Sequence, residues 1–126
     1  MTKIKINIEK THTGYSAFAE RYPVATTGKD LIKLKKNIVD ALNLYFEKKS
    51  QKIGEENLRI YLDLPQFFEF YKIINAKALS ENIGMNQSLL AQYIKGHKKP
   101  SANQVNRILK GIHQIGKELA EIRFIA

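Results

Sequence analysis

Up to about residue 64 the hydrophobic positions along the chain alternate, except in one stretch of helical spacing that follows Asp30; beyond residue 64 the spacing is helical. Ile4, Ile6 and Ile8 stand between Lys3, Lys5, Asn7 and Glu9, which places three isoleucines on one face of a strand. Thr11-His12-Thr13-Gly14 supplies a turn, YSAFAER (Tyr15 to Arg21) returns as the second arm of a hairpin, and Val24 to Thr27, after Pro23, predicts a third short strand. Asp30 is placed to cap a helix in which Leu31, Leu34, Ile38, Leu42 and Tyr45 recur at three- and four-residue spacing, ending near Lys49. The polar stretch KKSQKIGEEN, residues 48–57, reads as a connection. Leu58, Ile60 and Leu62 then alternate with Arg59, Tyr61 and Asp63 before Pro65 stops the strand.

From Pro65 onward the period is about 3.6. Pro65 suits the first turn of a helix, and Phe67, Phe68, Tyr71 and Ile74 form an apolar stripe. Asn75 and Asn86 stand where N-caps are needed and Gly84 and Gly96 where helices end. Ser101 opens a last helix carrying Val105, Ile108, Leu109, Ile112, Ile115 and Leu119. The predicted fold class is therefore α+β, a β-β-β-α-β domain over residues 1–64 followed by an all-helical domain over residues 65–126. Each half is of a size at which a lone domain buries only about 60% of its unfolded surface, so packing or self-association is expected to support it.

Composition adds a bias. Of 126 residues, 21 are Lys or Arg and 12 are Asp or Glu, a formal charge of +9 that favours polyanionic partners. The absence of cysteine excludes disulfides, thiolate metal sites and cysteine nucleophiles. MTKIKINIEK has no continuous apolar run, so neither a signal peptide nor a membrane span is expected and the chain reads as cytoplasmic.

The charge becomes informative in AKALSENIGMNQSLLAQYIKGHKKP. Two helices joined by a tight turn need an inward apolar face (Leu79, Ile83), a glycine with unusual backbone (Gly84), a plug (Met85) and a second helix buried through Leu89 or Leu90 and Tyr93. That arrangement leaves Gln87, Ser88, Gln92 and Lys95 facing outward. In such a unit the N-terminal part of the second helix meets base edges, where glutamine pairs with adenine and serine bonds either edge type. Lys95, Lys98 and Lys99 are expected at phosphates. No Asp or Glu occurs between Glu81 and Glu118, while Lys95, Lys98, Lys99, Arg107, Lys110 and Lys117 do, so the stretch carries nothing to repel a phosphate backbone.

LSENIGMNQSLLAQYIKGHKKPS resembles the helix-turn-helix of the lambda-repressor-like superfamily, through Leu79, Ser80, Gly84, the polar trio Asn86, Gln87 and Ser88, Leu90, Tyr93, Gly96 and Pro100-Ser101. Ala76 stands where that family often has a glutamine bracing the DNA contact, which leaves Lys77 as the phosphate contact of the first helix. The N-terminal half, with GYSAFAERYP, TTGKDL and NIVDALNLYFE, resembles the HicB antitoxin domain, a degraded ribonuclease-H-like fold. The two resemblances together imply an antitoxin. Its first domain would mask a HicA-type ribonuclease toxin, and its second would repress the shared operon as a dimer or higher oligomer on operator DNA.

Enzymatic chemistry has little to work with. Ribonuclease-H catalysis needs several carboxylates converging on two divalent metals, whereas the strands offer only Glu9, Glu20 and Asp63, with Asp30, Asp40 and Glu47 on a helix. His12, His97 and His113 have no spacing that builds a metal cluster or a nucleophile and base pair. No catalytic residue, metal or cofactor is expected. Two further readings remain open at this point, a stand-alone repressor and a protein-interaction module whose basic charge is incidental.

Overall fold

A computed structural model describes residues 3–47 and 52–126. The chain separates into two compact units, Met1–Gln66 and Phe67–Ala126. It is an α+β protein, a mixed four-stranded sheet followed by helices.

The first unit is built on β1 (Ile4–Lys10), β2 (Tyr15–Ala19), β3 (Ala25–Gly28) and β4 (Leu58–Tyr61), in the spatial order β3-β2-β1-β4. β1 and β2 form the expected antiparallel hairpin, with Ile6 opposite Ala19 and Ile8 opposite Ala17. Thr11 donates its N–H to the Gly14 carbonyl to close the turn. β4 runs parallel to β1, Ile4 opposite Leu58 and Ile6 opposite Ile60. A parallel neighbour needs a crossover, and α1 (Leu31–Tyr45) supplies it. The alternation read in the sequence is a burial pattern: Ile4, Ile6, Ile8, Tyr15, Ala17 and Ala19 are buried and meet Leu34, Ile38 and Leu42 of α1 in one core.

Side-chain hydrogen bonds fix what periodicity leaves loose. Asp30 caps α1, its Oδ1 accepting from the Lys33 N–H at 2.8 Å. Asn37 donates through Nδ2 to the Thr27 carbonyl at 2.8 Å and ties α1 to β3. Asn43 bonds the backbone of Ile53 twice, accepting its N–H at 2.7 Å and donating to its carbonyl at 3.0 Å, so the returning chain is held against α1.

Several sequence boundaries need correction. The third strand lies one residue later than Val24–Thr27, and Val24 is a buried residue preceding it. Tyr45 does not continue the core stripe. It is 49% exposed and joins Tyr22 and Phe46 in an edge-packed aromatic trio, with ring centroids 4.8–5.9 Å apart. α1 ends at Tyr45, and the predicted end near Lys49 falls outside the described residues. So does the start of the expected connection, residues 48–51. Its remainder carries a single 3-10 turn, Glu55–Asn57, that alternation does not reveal.

Helix α2 (Leu64–Phe70) has Pro65 in its first turn, where its missing N–H costs nothing. Asp63 accepts the Gln66 N–H at 2.9 Å and so caps that turn. The helix stops at Phe70, so Tyr71 and Ile74 of the predicted stripe lie beyond it, although the Tyr71 ring still packs 5.2 Å from that of Phe67. In the second unit α3 (Ala76–Ile83), α4 (Gln87–Ile94) and α5 (Ala102–Glu121) follow, each opened by a side-chain cap, from Asn75, Asn86 and Ser101 respectively. Leu79, Ser80, Met85, Leu90, Tyr93 and Ile108 are the buried groups of these three helices and the turn between α3 and α4. Of the six apolar residues that mark α5 in the sequence, only Ile108 is buried.

Candidate nucleic-acid interface

The α3–α4 pair is joined by a turn whose backbone is settled by Gly84. Its φ of 67° and ψ of 31° lie in the left-handed region that other L-residues reach only with strain. Gly84 donates its N–H to the Glu81 carbonyl at 3.2 Å and Met85 donates to the Ser80 carbonyl at 2.8 Å, the paired closure that ends a helix with a glycine. Met85 and Leu79 are both buried, as the apolar contact accompanying this closure requires. Ser80, 1% exposed, fits the crowded interior because it is small and because its hydroxyl donates to the Lys77 carbonyl at 2.6 Å. That bond satisfies a polar atom whose burial would otherwise be costly.

Helix α4 begins at Asn86, whose Oδ1 accepts the Leu89 N–H at 3.1 Å. At 3.6 residues per turn, Gln87, Ser88, Gln92 and Lys95 fall within an arc of about 140°, and Leu90 and Tyr93 lie on the opposite side. The burial agrees. Leu90 and Tyr93 are buried, and Gln87, Ser88, Gln92 and Lys95 are all exposed. The choice between Leu89 and Leu90 left open by spacing resolves to Leu90, with Leu89 half-buried. No side chain among Gln87, Ser88, Gln92 and Lys95 forms a hydrogen bond or ion pair with another described residue, so their donors and acceptors face solvent unspent.

The loop after α4 is drawn back onto that helix. Gly96, at φ 76°, donates to the Tyr93 carbonyl, and the N–H groups of His97 and Lys98 both reach the Gln92 carbonyl, at 3.0 and 3.3 Å. Lys95, His97, Lys98 and Lys99 are thereby gathered, all exposed, at the C-terminal end of α4. Lys77 is exposed in the first turn of α3.

Two polar residues of this region are engaged within the unit, Asn86 in the cap that the sequence predicts and Arg107 in a contact that it does not. Asn86 grouped with Gln87 and Ser88 as a polar trio, but its carboxamide oxygen is committed to the α4 cap. Arg107, one of the cations of the acid-free stretch, turns back to α3. Its Nε and Nη2 donate to the Ile83 carbonyl at 3.2 and 2.9 Å, and Nη2 also reaches the Gly84 carbonyl at 2.6 Å. The guanidinium thus takes up backbone acceptors that the end of α3 leaves free, and its positive charge sits where the helix dipole is negative. A sequence signal for this role is absent, because the contact spans 24 positions.

Among the described residues no group of three or more His, Cys, Asp or Glu side chains is arranged to hold a metal ion. No helix of the described residues is long and apolar enough to cross a membrane. Neither a protein-family model nor a curated protein matches the chain.

Proposed function

We propose that the chain is a sequence-specific duplex-DNA binder and that α4 is its reading helix. One observation carries this reading. The α4 side chains that direct readout requires, Gln87, Ser88 and Gln92, share an exposed arc with Lys95 and have no side-chain partner among the described residues, while Leu90 and Tyr93 anchor the opposite face. Gln87 and Gln92 have the carboxamide that pairs bidentately with adenine, and Ser88 suits either edge type. Lys77, Lys95, Lys98 and Lys99 would contact phosphates and set the register on the duplex.

The wider reading is an antitoxin that represses its own operon. In it, two copies place two α4 helices in successive major grooves about 34 Å apart, on a palindromic operator. The first unit then holds a small HicA-type ribonuclease. Support for that part comes from the resemblance of the N-terminal half to HicB antitoxins and from a sheet face suited to a protein partner. There Asn7 is flanked across the strands by Phe18 and Tyr61, 37% and 45% exposed. Aromatic side chains of this kind are enriched at protein interfaces.

Selection of duplexes from a random pool by the full chain tests the DNA reading. A palindromic consensus is expected, and Gln87→Ala should relax it at one position per half-site. Enrichment of no sequence, or a consensus untouched by Gln87→Ala, overturns the assignment. For the antitoxin reading, the test is whether a neighbouring reading frame encodes a small basic protein that co-purifies with the chain and loses ribonuclease activity on binding it.

A further inference from the structure

Helix α5 is about 30 Å long, and it meets α3 closely at Gly111, near its middle. A Cβ added at Gly111 would run into the Ile83 side chain, and nothing lies within 4 Å of one added at Gly116, a turn and a half further on. Around Gly116 the surface of α5 has a shallow, open depression lined by Leu109, Lys110, Ile112 and Lys117. Beyond it α5 gives way to the non-helical segment Ile122-Arg123-Phe124-Ile125-Ala126, which leaves the helix through extended backbone at Ile122. This segment is directed by the Arg123 guanidinium, which donates to the carbonyls of Ala120 and Ile122 at 3.0 and 2.9 Å. Phe124 is 96% exposed and Ile125 is fully exposed.

A monomer gains nothing from holding these groups in water. Leu109, Leu119 and Ile122 are about half exposed and Phe124 and Ile125 wholly so, a run of large apolar side chains in water that marks an interaction surface rather than a monomer's exterior. The charges suit a second copy as well, since Lys110 and Lys117 line the depression while Glu118 and Glu121 precede the apolar tail, whose own Arg123 is turned back onto the Ala120 and Ile122 carbonyls. We propose that α5 and the Ile122–Ala126 segment form a self-association surface, with Phe124 of one copy seated beside Gly116 of a second. The pairing deepens the DNA reading, which needs two α4 helices, and it is tested without DNA.

The full chain is compared by sedimentation with Phe124→Asp. The wild type is expected to be dimeric at micromolar concentration, and the variant to dissociate at least roughly 30-fold more readily, as loss of a central aromatic anchor implies. Gly116→Leu, which fills the depression and favours the helix, should weaken the dimer too while raising or preserving the melting temperature. Because the chain has no cysteine, Gly116→Cys mixed with Phe124→Cys should give a disulfide-linked pair on oxidation, in excess of Asn82→Cys mixed with Phe124→Cys. A monomeric wild type, a dimer indifferent to Phe124→Asp, or no excess cross-linking overturns the proposal. A dimer that Phe124→Asp dissolves but that prefers no DNA sequence sustains the interface and removes the DNA reading. A monomeric wild type that still selects Gln87-dependent half-sites does the reverse.

Discussion

At the residue scale, the cations and amides of the second unit divide by whether their side chains already have a protein partner. Arg107 is spent on the carbonyls of Ile83 and Gly84, whereas Lys98 has no side-chain partner among the described residues. Arg107→Met should therefore destabilise the helical unit by about 1–2 kcal/mol, less than a fully buried charged bond would cost because water reaches this exposed helix end. In a unit of this size the melting temperature should fall by about 4–8 °C per kcal/mol. Arg107→Lys should recover only part of it, since an ammonium cannot reproduce the fork that spans two carbonyls. Calorimetry of the full chain checks both, and an Arg107→Met protein with unchanged melting would show that the clamp contributes nothing. Lys98→Ala should leave melting unaltered and weaken binding to all DNA sequences alike. The distinction was invisible in the sequence, where both residues simply counted toward an acid-free stretch.

At the element scale, the α3–α4 junction depends on one backbone conformation and two caps. Gly84→Ala should cost about 1–2 kcal/mol, because the left-handed φ of 67° brings an added Cβ toward the following carbonyl. Asn86→Ala should cost about 1 kcal/mol through loss of the α4 cap. Asn86→Asp should retain most of the stability and still weaken DNA binding by placing a carboxylate beside phosphates. Equal DNA affinity for Asn86→Asp and wild type would argue that this end of α4 is not near the duplex. Such elements were legible beforehand because local rules specify them: the alternation of β1, the Asp30, Asn75, Asn86 and Ser101 caps, and the glycine turn all act within a few residues. Pairings between distant residues were not. The parallel placement of β4 beside β1, the Asn43 bridge to Ile53 and the departure of Tyr45 into an aromatic trio depend on which elements meet, and no local periodicity encodes that. The apolar period of α5 was visible too, but period alone does not say whether a stripe faces the chain's own core or another molecule.

At the scale of the whole molecule, the number of copies on DNA sets how strongly salt acts. Each phosphate neutralised by a lysine releases condensed counterions, so log K falls against log salt with a slope of about −0.9 per contact. If two copies bind through the α5 surface, Lys98→Ala removes two contacts at once and should make the slope shallower by about 1.8. In the Phe124→Asp background, where one copy occupies one half-site, the same substitution should change it by only about 0.9. Lys95 and Lys99 should behave likewise, while Arg107, occupied by the α3 carbonyls, should leave the slope unchanged provided the variant remains folded. Titrations at several salt concentrations, on a full palindrome and on a single half-site, measure all of these. A Lys98→Ala effect of the same size in both backgrounds would mean that the Phe124 surface does not bring two reading helices to one operator. A slope insensitive to every one of these lysines would mean that the cationic end of α4 does not lie on the duplex.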